Sequence, residues 1–265
     1  MRCLVTGSRS GIGRYLCEVL GAEPFTRQHR IEALQGREFD CIIHTAVNQC
    51  RGISSADLHH VIADNLLLTK ELVALKPKYF VFFSSIDVYP SLADRQFEEE
   101  ELLPVDGSLS LYGLTKLMGE SIVRQGSEHY LIIRPGLLLG SSMRPNSVSK
   151  VATGPDPVRL SLAASSEFYV VTYQEVQSFI AYCLKEKLDG CYNVLRALPV
   201  TLEEVAAIAC RSPEYGTYVY RRPKISNTKA LKILPQLASS SLQAVADFFA
   251  LGMPEGSVQT LTHGS

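Results

Sequence analysis

Short apolar runs alternate with amphipathic stretches along most of the chain, a pattern typical of a parallel α/β sheet. The runs that each fit one buried strand are residues 2–6, 40–46, 78–83, 130–136 and 190–194. The stretches with helical spacing of apolar residues include 14–20, 53–75, 108–123 and 173–184. Because strands and helices alternate, the pattern predicts an α/β fold with a doubly wound parallel sheet.

A glycine-rich turn joins the first apolar run to the first helix. Gly7 permits a tight turn, Gly11 lets the backbone approach a pyrophosphate, and Gly13 lets helix and strand pack closely. The helix N-terminus then presents unpaired N–H groups to the anion. This context predicts a dinucleotide site in a Rossmann-type fold, although a turn without a ligand is the alternative. The predicted cofactor contacts here are Gly7, Ser8, Arg9, Gly11, Ile12 and Gly13.

The chain between the first helix and the strand at 40–46 is unusually short. A brief strand at 22–26 and a short helix at 28–36 fill it, which predicts a shortened second and third strand region. No acidic residue ends the second strand, where a ribose 2′-hydroxyl would be bound. Arg27 stands there instead, and Arg9 can join it on a 2′-phosphate. The sequence therefore favours NADP, with solvated surface arginines as the alternative.

Tyr112 and Lys116 lie four residues apart, which places both side chains on one face of a helix. An ammonium group beside a phenol stabilises the phenolate and lowers the pKa of the tyrosine. Such a tyrosine exchanges a proton with a substrate hydroxyl or carbonyl near neutral pH. An ordinary amphipathic helix carries the same spacing, so this motif is weak by itself.

Polar side chains elsewhere add to this motif. Ser84 and Ser85 end the strand at 78–83, and the carboxyl ends of such strands bind ligands, although serine also commonly closes a strand. Asn65 lies among apolar neighbours of a predicted helix, so we expect it to be buried and hydrogen-bonded. The acidic run at 98–101 is predicted to be a solvated face.

Composition narrows the function classes. The 265 residues are 46% hydrophobic and 20% charged with a net charge of -1, so the chain is globular and no nucleic-acid or membrane partner is expected. No apolar run is long enough for a membrane span, and the chain enters a strand at once, so no signal peptide is predicted. The cysteines lack a Cys-x-x-Cys pair, which favours reduced thiols in a cytoplasmic protein. The sequence contains no cluster of metal-ligating residues, so no metal site is predicted.

Together the motifs resemble the short-chain dehydrogenase/reductase superfamily, specifically its extended branch, the NAD-dependent epimerase/dehydratase family. The resemblance spans about residues 2–235, and the compact length is also similar to the dTDP-4-dehydrorhamnose reductase branch. The motifs that carry it are Thr6-Gly7-x-x-x-Gly11-x-Gly13, Asp40-x-Ile42-Ile43-His44-x-Ala46, Asn65, Ser84-Ser85-x-x-Val88-Tyr89, Tyr112-Gly113-x-x-Lys116, Arg134-Pro135 and Gly190-x-Tyr192-Asn193-Val194.

The resemblance implies a role for each matching residue. Tyr112 is implied as the general acid/base, Lys116 as the group that lowers its pKa and binds the nicotinamide ribose, and Ser85 as the holder of the substrate oxygen. Asn65 is implied as a structural or relay residue. The implied chemistry is hydride transfer between the nicotinamide and a carbinol or carbonyl carbon. The implied cofactor contacts beyond the glycine turn are Arg27, Ala46, Tyr112, Lys116 and Pro135.

The implied function is that of an NAD(P)-dependent enzyme, an oxidoreductase or isomerase, acting on a nucleotide-sugar as epimerase, dehydratase or ketoreductase. A dehydratase requires Asp87 to face inward. Candidate diphosphate contacts are Arg144, Asn146, Arg221 and Arg222. The alternatives are an NADPH-dependent ketoreductase of a small carbonyl compound and a non-catalytic NADP-binding regulator. A homodimer is an expectation from the family alone.

The chain is predicted to form two lobes and a tail. Residues 1–137 and 166–195 are predicted to form the NAD(P)-binding Rossmann domain. A smaller substrate-binding lobe is predicted from residues 138–165 and 196–251, much of it near the C-terminus. Residues 252–265 are predicted to form a loose tail.

Overall fold

The protein is described by a computed structural model that covers residues 1–49, 55–91, 94–105 and 109–250. Its strands are β1 (Cys3–Thr6), β2 (Glu23–Phe25), β3 (Cys41–His44), β4 (Phe80–Phe83), β5 (Gln96–Phe97), β6 (Tyr130–Pro135), β7 (Leu137–Leu139), β8 (Glu167–Phe168), β9 (Val170–Thr172), β10 (Gly190–Val194), β11 (Val200–Thr201) and β12 (Lys224–Ile225). Its α-helices are α1 (Gly11–Leu20), α2 (Ser55–Ile62), α3 (Leu68–Ala74), α4 (Leu111–Gly126), α5 (Ser147–Thr153), α6 (Tyr173–Glu186), α7 (Leu202–Ile208), α8 (Thr228–Leu231) and α9 (Ser241–Ala250). Single 3-10 turns lie at Ile31–Leu34, Ile86–Val88 and Pro235–Ala238.

Six strands form the central sheet in the order β10-β6-β4-β3-β1-β2, and all its neighbouring strands run parallel. The chain moves outward in opposite directions on the two sides of β1 and β3, so a topological switch point lies between these strands. Ligands of open α/β sheets bind in the crevice at such a point. The predicted Rossmann-type doubly wound sheet is confirmed.

Successive residues of each strand pack on opposite faces of the sheet, and helices cover both faces. Val5 and Ile43 belong to a core that also contains residues of α1 and α6. Leu4 and Ile42 belong to the opposite core, which contains residues of α3 and α4. Burial of a large aliphatic side chain contributes about 1.5–3 kcal/mol, which explains why the strand sequences are continuously apolar.

Between α1 and β3 the chain forms only strand β2, at one edge of the sheet, and one 3-10 turn. This matches the shortened second and third strand region predicted from the sequence. The helix predicted over residues 28–36 is wrong in extent, because the chain forms a single 3-10 turn at Ile31–Leu34. Leu34 is buried and Ile31 is half-buried, so the apolar stripe is only one turn long. A longer helix would have little more to pack against the sheet.

The helix predicted over residues 53–75 is interrupted. Helices α2 and α3 are joined by a π-helical turn at Ala63–Leu67, which contains Asn65. The first two residues of the predicted helix lie outside the described part of the chain. Turns of this type are frequent at functional sites, because they reorient side chains within a helix.

The remaining elements pack on one another and on the central sheet, where α8 contacts β10. Helix α7 packs against α5 and α9, and β8 pairs with β11. All six sheet strands lie within residues 1–137 and 166–195, so the division into a cofactor domain and a substrate lobe stays a proposal consistent with this layout. The predicted tail at 252–265 lies outside the described residues. Among the described helices, none combines the length and apolar character that a membrane span requires.

The acidic run at 98–101 departs from the predicted solvated face. Glu99 is 3% exposed, and its Oε1 accepts the N–H of Asn193 at 2.9 Å. Burial raises the pKa of the Glu99 carboxyl. Glu101 instead forms an ion pair with Arg95. The prediction is wrong for Glu99 because tertiary packing, rather than local charge, decides which carboxylate of the run is enclosed.

Candidate functional site

A cleft of about 1130 Å³ opens at the carboxyl ends of β1, β3 and β4, at the switch point of the sheet. The predicted site residues that line it are Gly7, Ser8, Arg9, Gly11, Ile12, Gly13, Arg27, Ala46, Ser85, Tyr112, Lys116 and Pro135. Asn65 contributes through hydrogen bonds to neighbouring elements and is outside this lining. The fold therefore brings residues from well-separated motifs into one cleft.

The glycine-rich turn packs directly against the end of β3. Gly7 has a φ of +72°, and a Cβ on it would lie 2.7 Å from Thr45 Oγ1. A Cβ on Gly13 would lie 2.5 Å from the carbonyl oxygen of Gly7. Larger residues would push the turn away from the sheet, so glycine is required for this close approach.

Helix α1 begins at this turn and directs its N-terminus toward the cleft. Ser10 occupies the N-cap position and makes no side-chain cap hydrogen bond. The N–H of Gly11 donates to the carbonyl oxygen of Ser142 at 2.8 Å. The following N–H groups of the first turn, together with the positive end of the helix dipole, fit a phosphate group. The turn therefore fits the pyrophosphate of a dinucleotide.

Two arginines border the cleft near the end of β2. Arg27 Nη2 lies 2.6 Å from Asp64 Oδ2, and the Arg27 side chain remains 78% exposed. Asn48 Nδ2 donates to the same carboxylate oxygen at 3.1 Å. Arg9 is exposed and also lines the cleft. Both guanidinium groups are therefore accessible to an anionic ligand.

Tyr112 and Lys116 lie on α4, as their spacing predicts. Ser110 caps this helix by accepting the N–H of Gly113 at 3.1 Å. Lys116 is 4% exposed, and its Nζ donates to the carbonyl oxygen of Phe83 at 2.6 Å. The same Nζ lies 5.8 Å from the centre of the Tyr112 ring. The sheet therefore anchors an ammonium group beside the phenol, at the end of β4.

Ser85 lies at the N-cap of the 3-10 turn that follows β4. Its Oγ accepts the N–H of Asp87 at 3.1 Å, and the residue is 8% exposed. A Cβ on Gly113 would lie 2.2 Å from the carbonyl oxygen of Asp87. Helix α4 therefore packs on the Ser85 turn at a distance that only glycine permits, which holds the two predicted catalytic segments together.

Asp87 faces the cleft and is held by two residues from the C-terminal part of the chain. Arg222 Nη2 lies 2.5 Å from Asp87 Oδ1, and Tyr220 Oη donates to the same oxygen at 3.0 Å. Burial, followed by the Asp87 charge, raises the pKa of the Tyr220 phenol. The Tyr220 ring stacks on Phe168 with a centroid separation of 5.0 Å. The sequence did not identify this contact, which joins residues 133 positions apart.

The other candidate diphosphate contacts occupy different environments. Arg221 is 57% exposed and pairs with Glu167 at 3.0 Å. Asn146 lines the cleft, and its side chain caps α5 by accepting the N–H of Ser149 at 2.9 Å. Arg144 is exposed on the same wall. The cleft therefore includes Arg144 and Asn146 near its rim, whereas the guanidinium group of Arg222 is already paired with Asp87.

Asn65 is 5% exposed and links two walls of the site. Its Oδ1 accepts the N–H of Asn48 at 2.7 Å, and its Nδ2 donates to the carbonyl oxygen of Asn48 at 2.9 Å. Nδ2 also donates to Thr115 Oγ1 at 3.1 Å. Asn65 therefore connects the loop after β3 to the residue beside Lys116, through the π-helical turn.

His44 lies below the cleft, although the sequence identified it only as part of a motif. Its Nδ1 lies 2.7 Å from Thr6 Oγ1, and its Nε2 lies 2.9 Å from Thr69 Oγ1. Burial, with a smaller contribution from the Lys116 charge, lowers the pKa of His44 to about 3. The imidazole is therefore neutral at physiological pH. Among the described residues, no group of three or more His, Cys, Asp or Glu side chains is arranged to hold a metal ion.

Comparisons with known proteins find one matching family model and several similar folds. The model of the NAD dependent epimerase/dehydratase family matches residues 25–154. The fold is similar to UDP-glucose 4-epimerase from Thermus thermophilus in complex with NAD, with a TM-score of 0.74, 22% identity, and coverage of 96% of this chain and 100% of that chain. No curated protein gives a significant sequence match.

Two further structures show the range of ligands on this fold. A dTDP-4-dehydrorhamnose reductase from Bacillus anthracis in complex with NADP has a TM-score of 0.76 and 16% identity, covering 94% of this chain and 98% of that chain. UDP-glucuronic acid 4-epimerase from Bacillus cereus, in complex with UDP-glucuronic acid and NAD, has a TM-score of 0.72 and 18% identity, covering 95% of this chain and 99% of that chain. The resemblance predicted from the sequence is thus confirmed: the NAD-dependent epimerase/dehydratase family is matched over residues 25–154, within a fold that such enzymes share.

Proposed function

We propose that this chain is an NAD(P)-dependent enzyme that acts on a nucleotide-sugar by hydride transfer, with Tyr112 as the general acid/base. The observation that carries the proposal is the buried Lys116 ammonium, which is anchored on Phe83 and lies 5.8 Å from the Tyr112 ring inside the cleft. A fixed positive charge beside a phenol favours the phenolate and so supports proton transfer.

The residues of the cleft divide into binding and proton-transfer groups. The turn from Gly7 to Gly13 holds the pyrophosphate, and Ala46 and Pro135 border the rest of the dinucleotide. Lys116 holds the nicotinamide ribose and stabilises the Tyr112 phenolate. When it is bound, the nicotinamide accepts or donates the hydride. Tyr112 accepts the proton of a substrate hydroxyl during oxidation or donates a proton to a carbonyl oxygen during reduction, and Ser85 orients that oxygen.

Asn65 has a structural part in this proposal. Its hydrogen bonds to Asn48 and Thr115 hold the loop after β3 and the middle of α4 in place. Because Thr115 precedes Lys116, loss of the Asn65 amide would move the ammonium relative to Tyr112. Asn65 therefore positions the catalytic pair.

NADP is the cofactor that the rim of the cleft favours. Arg27 is 78% exposed and lies after the second strand, where the ribose 2′ position of the cofactor is bound in this fold. Arg9 adds a second guanidinium group on the same rim. A doubly charged 2′-phosphate would form charge-assisted hydrogen bonds with both groups.

The substrate class follows from several features together. The similar structures include epimerases bound to UDP-sugars, and Arg144 and Asn146 on the cleft rim suit a diphosphate. Asp87, the acidic group that a dehydratase would use, is already paired with Arg222. We therefore favour an epimerase or a ketoreductase over a dehydratase.

A ketoreductase of a small carbonyl compound is the second candidate. The side chains of Phe168, Tyr169 and Tyr220 line one part of the cleft and present an aromatic wall. Such a wall suits a small apolar substrate as well as a sugar ring. A non-catalytic NADP-binding regulator is the remaining alternative, and a homodimer stays a prediction.

The test begins with mass spectrometry of the purified protein for retained NAD(H) or NADP(H). The protein is then incubated with UDP-glucose, UDP-glucuronic acid or a dTDP-4-keto sugar in the presence of NAD(P)(H), and products are identified by NMR. We expect a tightly retained cofactor for an epimerase, and consumption of added NADPH for a ketoreductase. Cofactor binding without turnover of nucleotide-sugars or of a panel of small ketones would contradict the enzymatic proposal and favour a regulator.

A further inference from the structure

We infer that Tyr173 is a further cofactor-binding residue, whose phenol donates a hydrogen bond to the pyrophosphate of the dinucleotide. The inference rests on the proposed NAD(P) binding in the cleft. Neither the glycine turn nor the Tyr112–Lys116 motif points to this residue, because it lies on α6, far along the sequence. It would add a side-chain donor to a site otherwise built from backbone N–H groups.

The location of Tyr173 provides the first support. Tyr173 begins α6 and lines the cleft, although only 2% of the residue is exposed. A Cβ on Gly11 would lie 3.4 Å from Tyr173 Oη, so the phenol oxygen lies directly against the glycine-rich turn. This is the position where the backbone approaches the pyrophosphate in a dinucleotide site.

The hydroxyl group itself provides the second support. Within the described residues, Tyr173 Oη has no hydrogen-bond partner. The residue is 2% exposed, yet it lines the cleft, so the hydroxyl at the cleft wall is available to a ligand bound there. The ring packs on Tyr15 with a centroid separation of 5.5 Å, a contact that phenylalanine would satisfy equally well.

The backbone of the turn provides the third support. The N–H of Gly11 donates to the carbonyl oxygen of Ser142 at 2.8 Å, so this donor is already used within the protein. The anion site therefore relies on fewer backbone donors than the glycine turn alone suggests. Tyr173 Oη lies beside Gly11 and, in this proposal, donates to the pyrophosphate in place of the Gly11 N–H.

The charge state of the phenol agrees with this role. Burial is the main influence on Tyr173 and raises the pKa of the phenol. The group therefore stays protonated and donates to a phosphate oxygen. Arg144, whose positive charge acts on the phenol, lies on the same wall and complements the negative charge of a pyrophosphate.

The experiment compares Tyr173→Phe with wild type by isothermal titration of NADPH, ADP and 2′-AMP. ADP contains the pyrophosphate, whereas 2′-AMP retains the adenosine and the 2′-phosphate without it. Because a hydrogen bond to a charged group is removed, we expect Tyr173→Phe to bind NADPH and ADP about tenfold or more weakly. Binding of 2′-AMP should be unchanged.

Tyr15→Phe is the matched control, because it removes the hydroxyl of the ring that packs on Tyr173 while leaving the cleft lining intact. It should bind all three ligands like wild type. If Tyr173→Phe lowers the melting temperature, Tyr173→His, which supplies a ring N–H donor, should recover part of the ADP affinity.

The outcomes separate this inference from the proposed function. A wild-type protein that binds neither NADPH nor NADH overturns both. If wild type binds NADPH, and Tyr173→Phe binds NADPH and ADP with the same affinities as wild type, only the role of Tyr173 is overturned. Equal weakening of ADP and 2′-AMP binding, or no recovery in a destabilised variant, would reveal a structural role and also overturn it.

Discussion

Arg222 Nη2 lies 2.5 Å from Asp87 Oδ1, two residues beyond the predicted catalytic Ser85. Both side chains are largely enclosed, with 12% of Arg222 and 23% of Asp87 exposed. Because the Asp87 N–H also donates to Ser85 Oγ, the ion pair fixes the turn that presents the serine. The C-terminal part of the chain therefore stabilises the substrate end of the cleft.

Removal of this ion pair should destabilise the protein. Arg222→Gln leaves the Asp87 carboxylate without its charged donor, and we expect the free energy of unfolding to fall by about 1.5–3 kcal/mol. Arg221→Gln is the matched control, because Arg221 is 57% exposed and surface ion pairs contribute below about 1 kcal/mol. Urea denaturation followed by circular dichroism measures both. Equal decreases in the free energy of unfolding of the two variants would show that the Arg222–Asp87 pair stabilises the protein no more than a surface ion pair does.

Tyr112→Phe should abolish most turnover. Removal of a general acid/base lowers kcat by about 10²–10⁴-fold, whereas the retained ring should leave the dissociation constant of NAD(P)H within about twofold of wild type. Stopped-flow absorbance with the substrate identified above measures kcat, and titration calorimetry measures cofactor affinity. Tyr218→Phe, at a tyrosine that is 67% exposed, is the control and should match wild type. A Tyr112→Phe variant with normal kcat would exclude Tyr112 as the proton-transfer group.

Arg27→Ala should narrow the preference for NADPH over NADH. We expect NADPH affinity to fall by about tenfold or more, because a charge-assisted hydrogen bond to the 2′-phosphate is lost, while NADH affinity changes little. Arg30→Ala is a suitable control, since Arg30 is exposed and lies outside the cleft lining. Titration calorimetry gives the dissociation constants of NADPH and NADH for wild type and both variants. Equal wild-type affinities for the two cofactors would rule out the 2′-phosphate contact.

His44 should make the stability of the fold depend on pH. Its pKa in the folded protein is about 3, below the ordinary value of 6.5, so the unfolded chain binds a proton between these values and the folded protein does not. Stability is therefore full above pH 6.5 and falls as the pH is lowered towards 3. We expect a loss of about 2 kcal/mol from this residue between pH 7 and pH 5.

His44→Gln removes the titrating ring, so the decrease of unfolding free energy between pH 7 and pH 5 should be about 2 kcal/mol smaller than in wild type. His60→Gln, at an exposed histidine of α2, is the control and should keep the wild-type pH dependence. Urea titrations at the two pH values give the comparison. An identical pH slope in wild type and His44→Gln would show that His44 is not the group responsible.

The sequence predicts those parts of the fold and site that depend on short-range spacing. The glycine turn depends on three glycines between one strand and one helix, and the Tyr112–Lys116 pair depends on a single helical turn. The strands are predicted because a sheet covered on both faces requires continuous apolar runs. These signals need no knowledge of distant residues.

The remaining site features depend on contacts between distant segments. Tyr220 and Asp87 are 133 residues apart, and no spacing rule connects them. Glu99 belongs to a charge run whose sequence predicts a solvated face, yet Glu99 is buried and its carboxylate accepts the N–H of Asn193. Tyr173 resembles any aromatic residue at a helix start until α6 is placed against the glycine turn. Tertiary packing, which a single sequence does not reveal, decides these features.

The short second strand has a consequence for self-association. An exposed sheet edge normally offers unpaired backbone groups to a strand of another molecule, which promotes aggregation. Strand β2 is one of the two edges of the sheet, but it is only Glu23–Phe25, and Pro24 has no N–H to donate to an added strand. The short β2 strand therefore gives this edge of the sheet little capacity for intermolecular β-pairing.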